Sequence, residues 1–392
     1  MKLKGLPVLM ALGMGAMSAH AAASGDVELL VGSYTQGTSQ GIYRLQFDSD
    51  KGHITPKPLQ VFKAANPSWL TLSGDQRRLF VVNENGQGQA DVVGRASSVA
   101  IDPKTNELSL VNQVSTLGEE PTHSSLSPDQ RYLFVANYGV HADPGGSLAV
   151  LPINAEGQLQ PVTQMSSHPA SRVNPERQMS AHVHSVVSSP DGKFVYASDL
   201  GADKVFVYRY DPAASPEHPL VAAAPAFVQL PPGSGPRHLL FSKDGKHAYL
   251  TTEMSAQVFV FDYDNDNGQL KQRQALELAK GMPAQNRAAG ALHASADGKF
   301  LYVSNRGKAN EILVFAIDPA NGELTEIQRR SVDGDHPREF ALSPNGKFLL
   351  IANQMSNAIV VLERDPVTGK LGKTVQTLPM DAPSDVKFIN RP

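Results

Sequence analysis

PRHLLFSKDGKHAYLTTE, residues 236–253, runs an apolar strand into a Ser-x-Asp-Gly turn and out again along a second apolar strand. The pattern recurs as PSWLTLSGDQRRLFVVNE (67–84), PTHSSLSPDQRYLFVANY (121–138), HVHSVVSSPDGKFVYASDL (182–200), GALHASADGKFLYVSNR (290–306) and PREFALSPNGKFLLIANQ (337–354). Turn to turn, the spacing is about 40–60 residues, the period of propeller blades. In the copy at 236, residues 257–263 (QVFVFDY) add a third alternating strand, 264–268 turn, and 270–276 (LKQRQAL) supply an outer strand. Four strands per repeat is one blade. A seventh copy is divided between the chain ends: PSDVKF (383–388) matches the first strand and VELLVGSYT (27–35) the second. A repeat cut in this way closes a ring and leaves no open sheet edge. The sequence therefore predicts an all-β fold, a seven-bladed β-propeller whose N- and C-terminal strands share one blade.

The chain has 392 residues, a net charge of −3 and no cysteine. Length alone suggests two or three domains, but stacked repeats share one core, so residues 24–392 read as a single propeller. The weak charge, without a long run of one sign, argues against nucleic acid and anionic membrane surfaces as partners. The absence of cysteine excludes disulfides, thiolate metal sites and a cysteine nucleophile. At the N-terminus Lys2 and Lys4 precede an apolar run over residues 6–17, and Ala19-His20-Ala21 has the small-x-small form of a cleavage site. Residues 1–21 read as a secretory signal peptide, with cleavage after Ala23 as second choice. The apolar run is shorter than the ~20 residues that span a bilayer. The expectation is a periplasmic protein with no membrane anchor once the signal is removed.

In a hairpin, the start of one strand and the end of the next lie together, away from the turn. Seven residues before the turn Asp or Asn stand Ser68, Thr122, His184, Arg237, Gly290, Arg338 and, in the split blade, Ser384. Nine residues after it stand Glu84, Tyr138, Leu200, Glu253, Arg306, Gln354 and, in the split blade, Tyr34. Packing would favour Val, Ile or Leu at such positions. Strand ends are also polar wherever they meet water, and that covers any one of these residues. A His, three Arg and Glu gathered at two equivalent ring positions point instead to a small-molecule site. A longer connection precedes the third copy and carries Arg177, then His182 and His184. Those two imidazoles, two apart on an extended segment, share a face. Without a third His or carboxylate nearby in sequence, the expectation is no metal and no cofactor. No Gly-x-Ser-x-Gly elbow, phosphate loop, dinucleotide fingerprint or His-Glu-x-x-His motif is present. Trp69 reads as a packing residue.

Val173–Gln178 (VNPERQ), His182–Val186 (HVHSV), Asp199–Gly201 (DLG), Gly235–His238 (GPRH), Glu253 at its strand end, Ser304–Gly307 (SNRG) and His336–Arg338 (HPR) occur in this order. In them the chain resembles the lactonase family of seven-bladed propellers, whose members include 6-phosphogluconolactonase and carboxymuconate cyclase. The resemblance covers essentially the whole mature chain. It implies a carboxylic ester hydrolase with a site of one His, two Arg and one Glu, which fall on His184, Arg237, Arg306 and Glu253. Ala181 departs from the family's usual Pro, and residues 285–290 depart near the pocket.

Lactone hydrolysis needs a base for water, positive charge for the oxyanion and a proton for the departing hydroxyl. The expectation is that His184 is the general base, Glu253 orients it or the substrate and shuttles protons, and Arg237 and Arg306 bind the carbonyl oxygen or an anionic substituent. His182, Arg338, Glu84, Tyr138 and Arg177 are candidate substrate-binding residues. Export favours an unphosphorylated aldonolactone, glucono-1,5-lactone above all, as substrate. The alternatives are the 6-phosphogluconolactonase of the pentose phosphate pathway and a non-catalytic propeller that binds a small ligand or protein.

Overall fold

The computed structural model describes residues 25–86, 88–139 and 148–389, and the segment read as a signal peptide lies outside them. The described residues form seven antiparallel sheets. Six contain four strands each in sequence order, as in Pro236–Phe241, His247–Thr252, Gln257–Tyr263 and Leu270–Glu277. The seventh joins the chain ends: Pro383–Ile389 pairs with Asp26–Ser33, which pairs with Gly41–Asp48. Its outer edge comes in two pieces, His53–Ile54 and Gln60–Lys63, both paired to Gly41–Asp48. The register at the closure sets Leu29 opposite Phe388 and Val31 opposite Val386. The split-repeat expectation holds. No helix among the described residues is long and apolar enough to cross a membrane.

The Ser-x-Asp turn recurs for a local reason. Ser242 Oγ donates to Asp244 Oδ1 at 2.6 Å and accepts the His247 amide at 2.9 Å, fastening both ends of the turn. The same pair of bonds forms at Ser73, Ser127, Ser189, Ser295 and Ser343, the last with Asn345 in place of Asp. Gly245 there has φ +69°, a left-handed conformation that glycine adopts without steric cost. Between blades, inner strands pack face to face. Leu29, Val31, Leu45 and Phe47 of the closing blade meet Phe348, Leu350, Ile359 and Val361 of the sixth. Each such fully buried side chain contributes about 1.5–3 kcal/mol.

Every innermost strand carries a register irregularity near its start. Pro67 faces Asn83 and Trp69 faces Val82, so Ser68 is the extra residue. Thr122, His184, Arg338 and Ser384 hold the same place in their blades. In the remaining two, the pairs Arg237-His238 and Gly290-Ala291 oppose a single partner residue. A bulge re-aims side chains and breaks the alternation of faces. Two consecutive residues can then turn toward the propeller axis.

The closure can be tested in a chain that has no cysteine of its own. Val31 and Val386 are buried partners across the split blade. A Val31→Cys/Val386→Cys variant should form a disulfide on mild oxidation and unfold at higher urea, since a cross-link between distant residues restricts the unfolded chain by up to about 5 kcal/mol. Free thiols in the folded, oxidised variant would contradict the pairing.

Candidate active site

All four residues assigned to catalysis from sequence meet at one carboxylate. Glu253 Oε2 accepts from Arg306 Nη2 at 2.7 Å, lies 3.4 Å from Arg237 Nε and lies 3.6 Å from His184 Nε2. Its other oxygen accepts from Arg177 Nη2 at 2.8 Å, and Arg177 Nη2 also donates to the Tyr138 hydroxyl at 2.9 Å. Tyr138 stacks on His182 at 4.8 Å and meets the His184 ring edge-on at 5.4 Å, so one tyrosine touches both histidines. Among the described residues, no group of three His, Asp or Glu side chains is placed to hold a metal ion.

Glu84 and Arg338 form a second pair. Arg338 Nη2 donates to Glu84 Oε2 at 3.1 Å and to Thr122 Oγ1 at 3.3 Å, and the guanidinium carbon stands 5.0 Å from the Tyr34 ring centre. The Tyr34 hydroxyl donates to the same Glu84 oxygen at 2.9 Å. The two groups border one narrow cavity, with room for about one water molecule, lined by Ser68, Trp69, Thr122, His184, Arg237, His238, Arg338, Glu339 and Ser384. Six of the seven first-ring positions appear in that lining, the exception being Gly290. A Cβ on Gly290 would collide with Ser304 Oγ, so glycine leaves room for that hydroxyl.

The long connection before the third blade is pinned by two buried aspartates. Asp199 accepts from His168 Nδ1 at 2.8 Å and from the His182 amide at 2.8 Å. Asp203 accepts from Gln178 Nε2 at 2.8 Å and from the Gly235 amide at 2.9 Å. Arg177, next to Gln178, is thereby tied to the loop that leads into Arg237.

The strand-end positions are not polar because they meet water. Arg237 is 1% exposed, Arg306 4% and His184 5%. Burial, and next the Arg237 charge, hold the His184 imidazole well below its usual 6.5, so it is neutral. For Glu253 burial works to raise the pKa. Arg306 leads the charges that outweigh it, and the carboxyl sits well below its usual range. Arg237 is itself pushed down, by burial first and the Arg306 charge second.

His238 and Glu339 escaped the sequence reading, as did Trp69 as a lining residue. Arg237 Nη1 donates to His238 Nδ1 at 3.3 Å, and the His238 ring lies 5.2 Å from that of His184. All three follow a first-ring residue by one position, a pattern visible in sequence as Trp, His and Glu inside apolar strands. Trp69 lines the cavity, with its ring 4.2 Å from that of His123 and the Lys387 ammonium 4.3 Å from its centre.

Comparison with known proteins gives a consistent picture. A family model described as "Lactonase, 7-bladed beta-propeller" matches residues 28–388. A Bacillus subtilis protein named 6-phosphogluconolactonase is 31% identical over 92% of this chain and 98% of its own length. The solved structure of a periplasmic gluconolactonase from Pseudomonas aeruginosa is 54% identical, with a TM-score of 0.90 over 94% of this chain and 100% of that one. That of a putative 6-phosphogluconolactonase from Bacteroides fragilis is 36% identical, with a TM-score of 0.84 over 94% of this chain and 99% of its own.

Removing the charge at the hub should cost stability as well as function. Glu253→Gln leaves the buried Arg237 and Arg306 guanidinium groups without their carboxylate, beside a partly exposed Arg177, and the expected loss is about 3–5 kcal/mol in urea unfolding at neutral pH. Because the Glu253 pKa is lowered in the folded state, its stabilisation is complete above the usual carboxylate range and is lost as pH falls. The gap between parent and variant should therefore narrow in acid. A loss at neutral pH below about 1 kcal/mol, typical of an exposed pair, would contradict the picture.

Proposed function

The chain belongs to the lactonase family of seven-bladed β-propellers, and from that premise we propose that it opens an unphosphorylated aldonolactone, glucono-1,5-lactone first, to the free acid in the periplasm. The enzyme is a hydrolase of the lactonase type. The observation that carries the reading is the meeting of a neutral His184 and three arginines at Glu253, with His184 and Arg237 lining one axial cavity.

His184 is the base in this reading, and the two ring nitrogens have different neighbours. Nε2 faces the Glu253 carboxylate, which can only accept, so Nε2 carries the proton. Nδ1 is buried with no hydrogen-bond partner among the described residues, and its lone pair takes the proton of the attacking water. As the water oxygen bonds to the carbonyl carbon, negative charge collects on the carbonyl oxygen, where Arg237 and Arg306 stabilise it. Collapse of the tetrahedral intermediate breaks the ring C–O bond, and the proton on Nδ1 passes to the departing oxygen. The acid so formed ionises in water. Held ionised by its arginines, Glu253 fixes the imidazole and does not shuttle protons. In this reading His182, Tyr138 and Arg177, and with them Arg338 and Glu84, bind the substrate.

Substrate choice rests on the N-terminal segment, because a phosphorylated sugar lactone of central metabolism is a cytoplasmic compound. The second reading, 6-phosphogluconolactonase, has its own support. Four arginines, Arg177, Arg237, Arg306 and Arg338, pair with Glu253 and Glu84, and with Glu339 also in the cavity lining the arginines still outnumber the carboxylates by one, a balance that suits a phosphate.

Acid release from glucono-1,5-lactone and from its 6-phosphate, each above the spontaneous rate, separates the two readings. The proposal expects the higher kcat/KM with the unphosphorylated lactone, and the reverse order would overturn it. A base whose pKa is lowered is active above that pKa and is lost as pH falls through it. The profile of kcat/KM should thus be flat between about pH 6 and 8, without an inflection at the ordinary 6.5. A fall centred near 6.5 would mean that His184 titrates as an exposed imidazole.

A further inference from the structure

Four buried polar atoms, His184 Nδ1, Ser68 Oγ, Ser384 Oγ and Glu339 Oε2, have no hydrogen-bond partner among the described residues. All four residues line the axial cavity. Bulk water does not satisfy them, since none of Ser68, Ser384 and Glu339 is more than 2% exposed. A buried polar group without a partner costs free energy, and four around one void mark a place for a polar occupant. The void has room for about one water molecule and for nothing as large as a sugar.

The four atoms ask for what one water offers. The neutral His184 imidazole carries its proton on Nε2, so Nδ1 can only accept. Glu339 Oε1 is already used, accepting from His293 Nε2 at 2.6 Å and from the Phe340 amide at 2.9 Å. Glu339 Oε2 is thus a second acceptor in need of a donor. A water has two protons for these two acceptors, and its two lone pairs are left for the Ser68 and Ser384 hydroxyls, which can donate. The holders surround the axis: Glu339, Ser384 and Ser68 come from the consecutive inner strands Pro337–Leu342, Pro383–Ile389 and Pro67–Leu72, and His184 comes from Val183–Ser188 farther round the ring. A small cation would meet the Arg237 and Arg338 guanidinium groups in the same lining, and a small anion would meet the Glu339 carboxylate.

Resting on the lactonase reading, we infer that a water bound in this cavity is the one that attacks the lactone, and that Ser68, Ser384 and Glu339 position it. His184 Nδ1 is buried, so a water reaches it only from inside the cavity. Arg237 lines the same cavity and lies 3.4 Å from Glu253, so a carbonyl oxygen held by Arg237 brings its carbon up to the water. The water oxygen gives up one serine bond and forms the bond to that carbon. One of its protons passes to Nδ1, and the other stays on the oxygen as part of the new acid. The lactone ring itself stays outside the cavity. Methanol, larger by one carbon, does not fit beside the two serines.

The water and its role are tested separately. A high-resolution crystal structure should show one ordered water within hydrogen-bond distance of His184 Nδ1 and Glu339 Oε2, and a dry cavity or an ion there would overturn the inference. Glucono-1,5-lactone is then opened in aqueous methanol, and the products formed above the spontaneous background are identified. The parent should release gluconic acid and no methyl gluconate. Ser68→Ala and Ser384→Ala each remove one heavy atom, about the size of methanol's methyl group, together with a hydrogen bond worth about tenfold. In each, kcat should fall by up to about tenfold with KM little changed, and methyl gluconate should appear. Glu339→Gln should lower kcat further, because its bond is charge-assisted; the serine variants decide the matter where it does not fold. A parent that forms the methyl ester draws its nucleophile from open solvent, and the inference fails. It fails as well if both serine variants lose activity without forming any ester, since the serines then only hold His184 in place. A protein that holds the water and opens no lactone would overturn the lactonase reading, and the attacking role with it.

Discussion

Closure of the ring is the constraint on which everything else rests. Tyr34 and Ser384 come from the split blade, and Glu84, Tyr138, His184, Glu253, Arg306 and Arg338 from the second strands or innermost strands of the other six. No two neighbouring blades could assemble the site. The pairing of Asp26–Ser33 with Pro383–Ile389 is therefore as much a part of the candidate site's architecture as any side chain in it. Asp385 reinforces the joint from inside the axis: its carboxylate accepts the Leu70 amide of the next blade at 2.8 Å and lies 2.9 Å from Lys387 Nζ.

Once the ring closes, the bulges decide what faces the axis. A regular strand would send alternate residues to opposite sides, and Arg237 and His238 could not both line the cavity. With one extra residue per inner strand they do, as do Ser68 with Trp69 and Arg338 with Glu339. The result is a dense group of ionisable side chains in low-dielectric surroundings. Desolvating so many charges is expensive, and the arrangement is stable only because each cation has an anion within reach. The same balance sets the chemistry. Burial and Arg237 keep His184 neutral, while the arginines keep Glu253 ionised. An acceptor-only neighbour on Nε2, and an Nδ1 without a partner among the described residues, are what a base needs to work in one direction.

Much of this was legible in the sequence, and for identifiable reasons. The turn motif is a fixed origin, so counting seven residues back and nine forward located His184, Arg237, Glu253 and Arg306 with no knowledge of the fold in space. The split repeat gave closure directly. The sequence reading missed what depends on the bulges. Strict alternation places His238 and Glu339 on the opposite face from Arg237 and Arg338, so neither drew attention. Burial was also hidden, since a polar residue at a strand end looks the same whether it meets water or another blade. The contact between Arg177 and Glu253 joins two blades through a loop, and no local spacing encodes it.

The central claim is that His184 is the base of the hydrolysis, and one variant tests it most directly. His184→Ala, with a circular dichroism spectrum matching the parent, should lose about 10²–10⁴-fold in kcat on glucono-1,5-lactone while KM stays nearly unchanged. A correctly folded His184→Ala protein with full lactonase activity would contradict it.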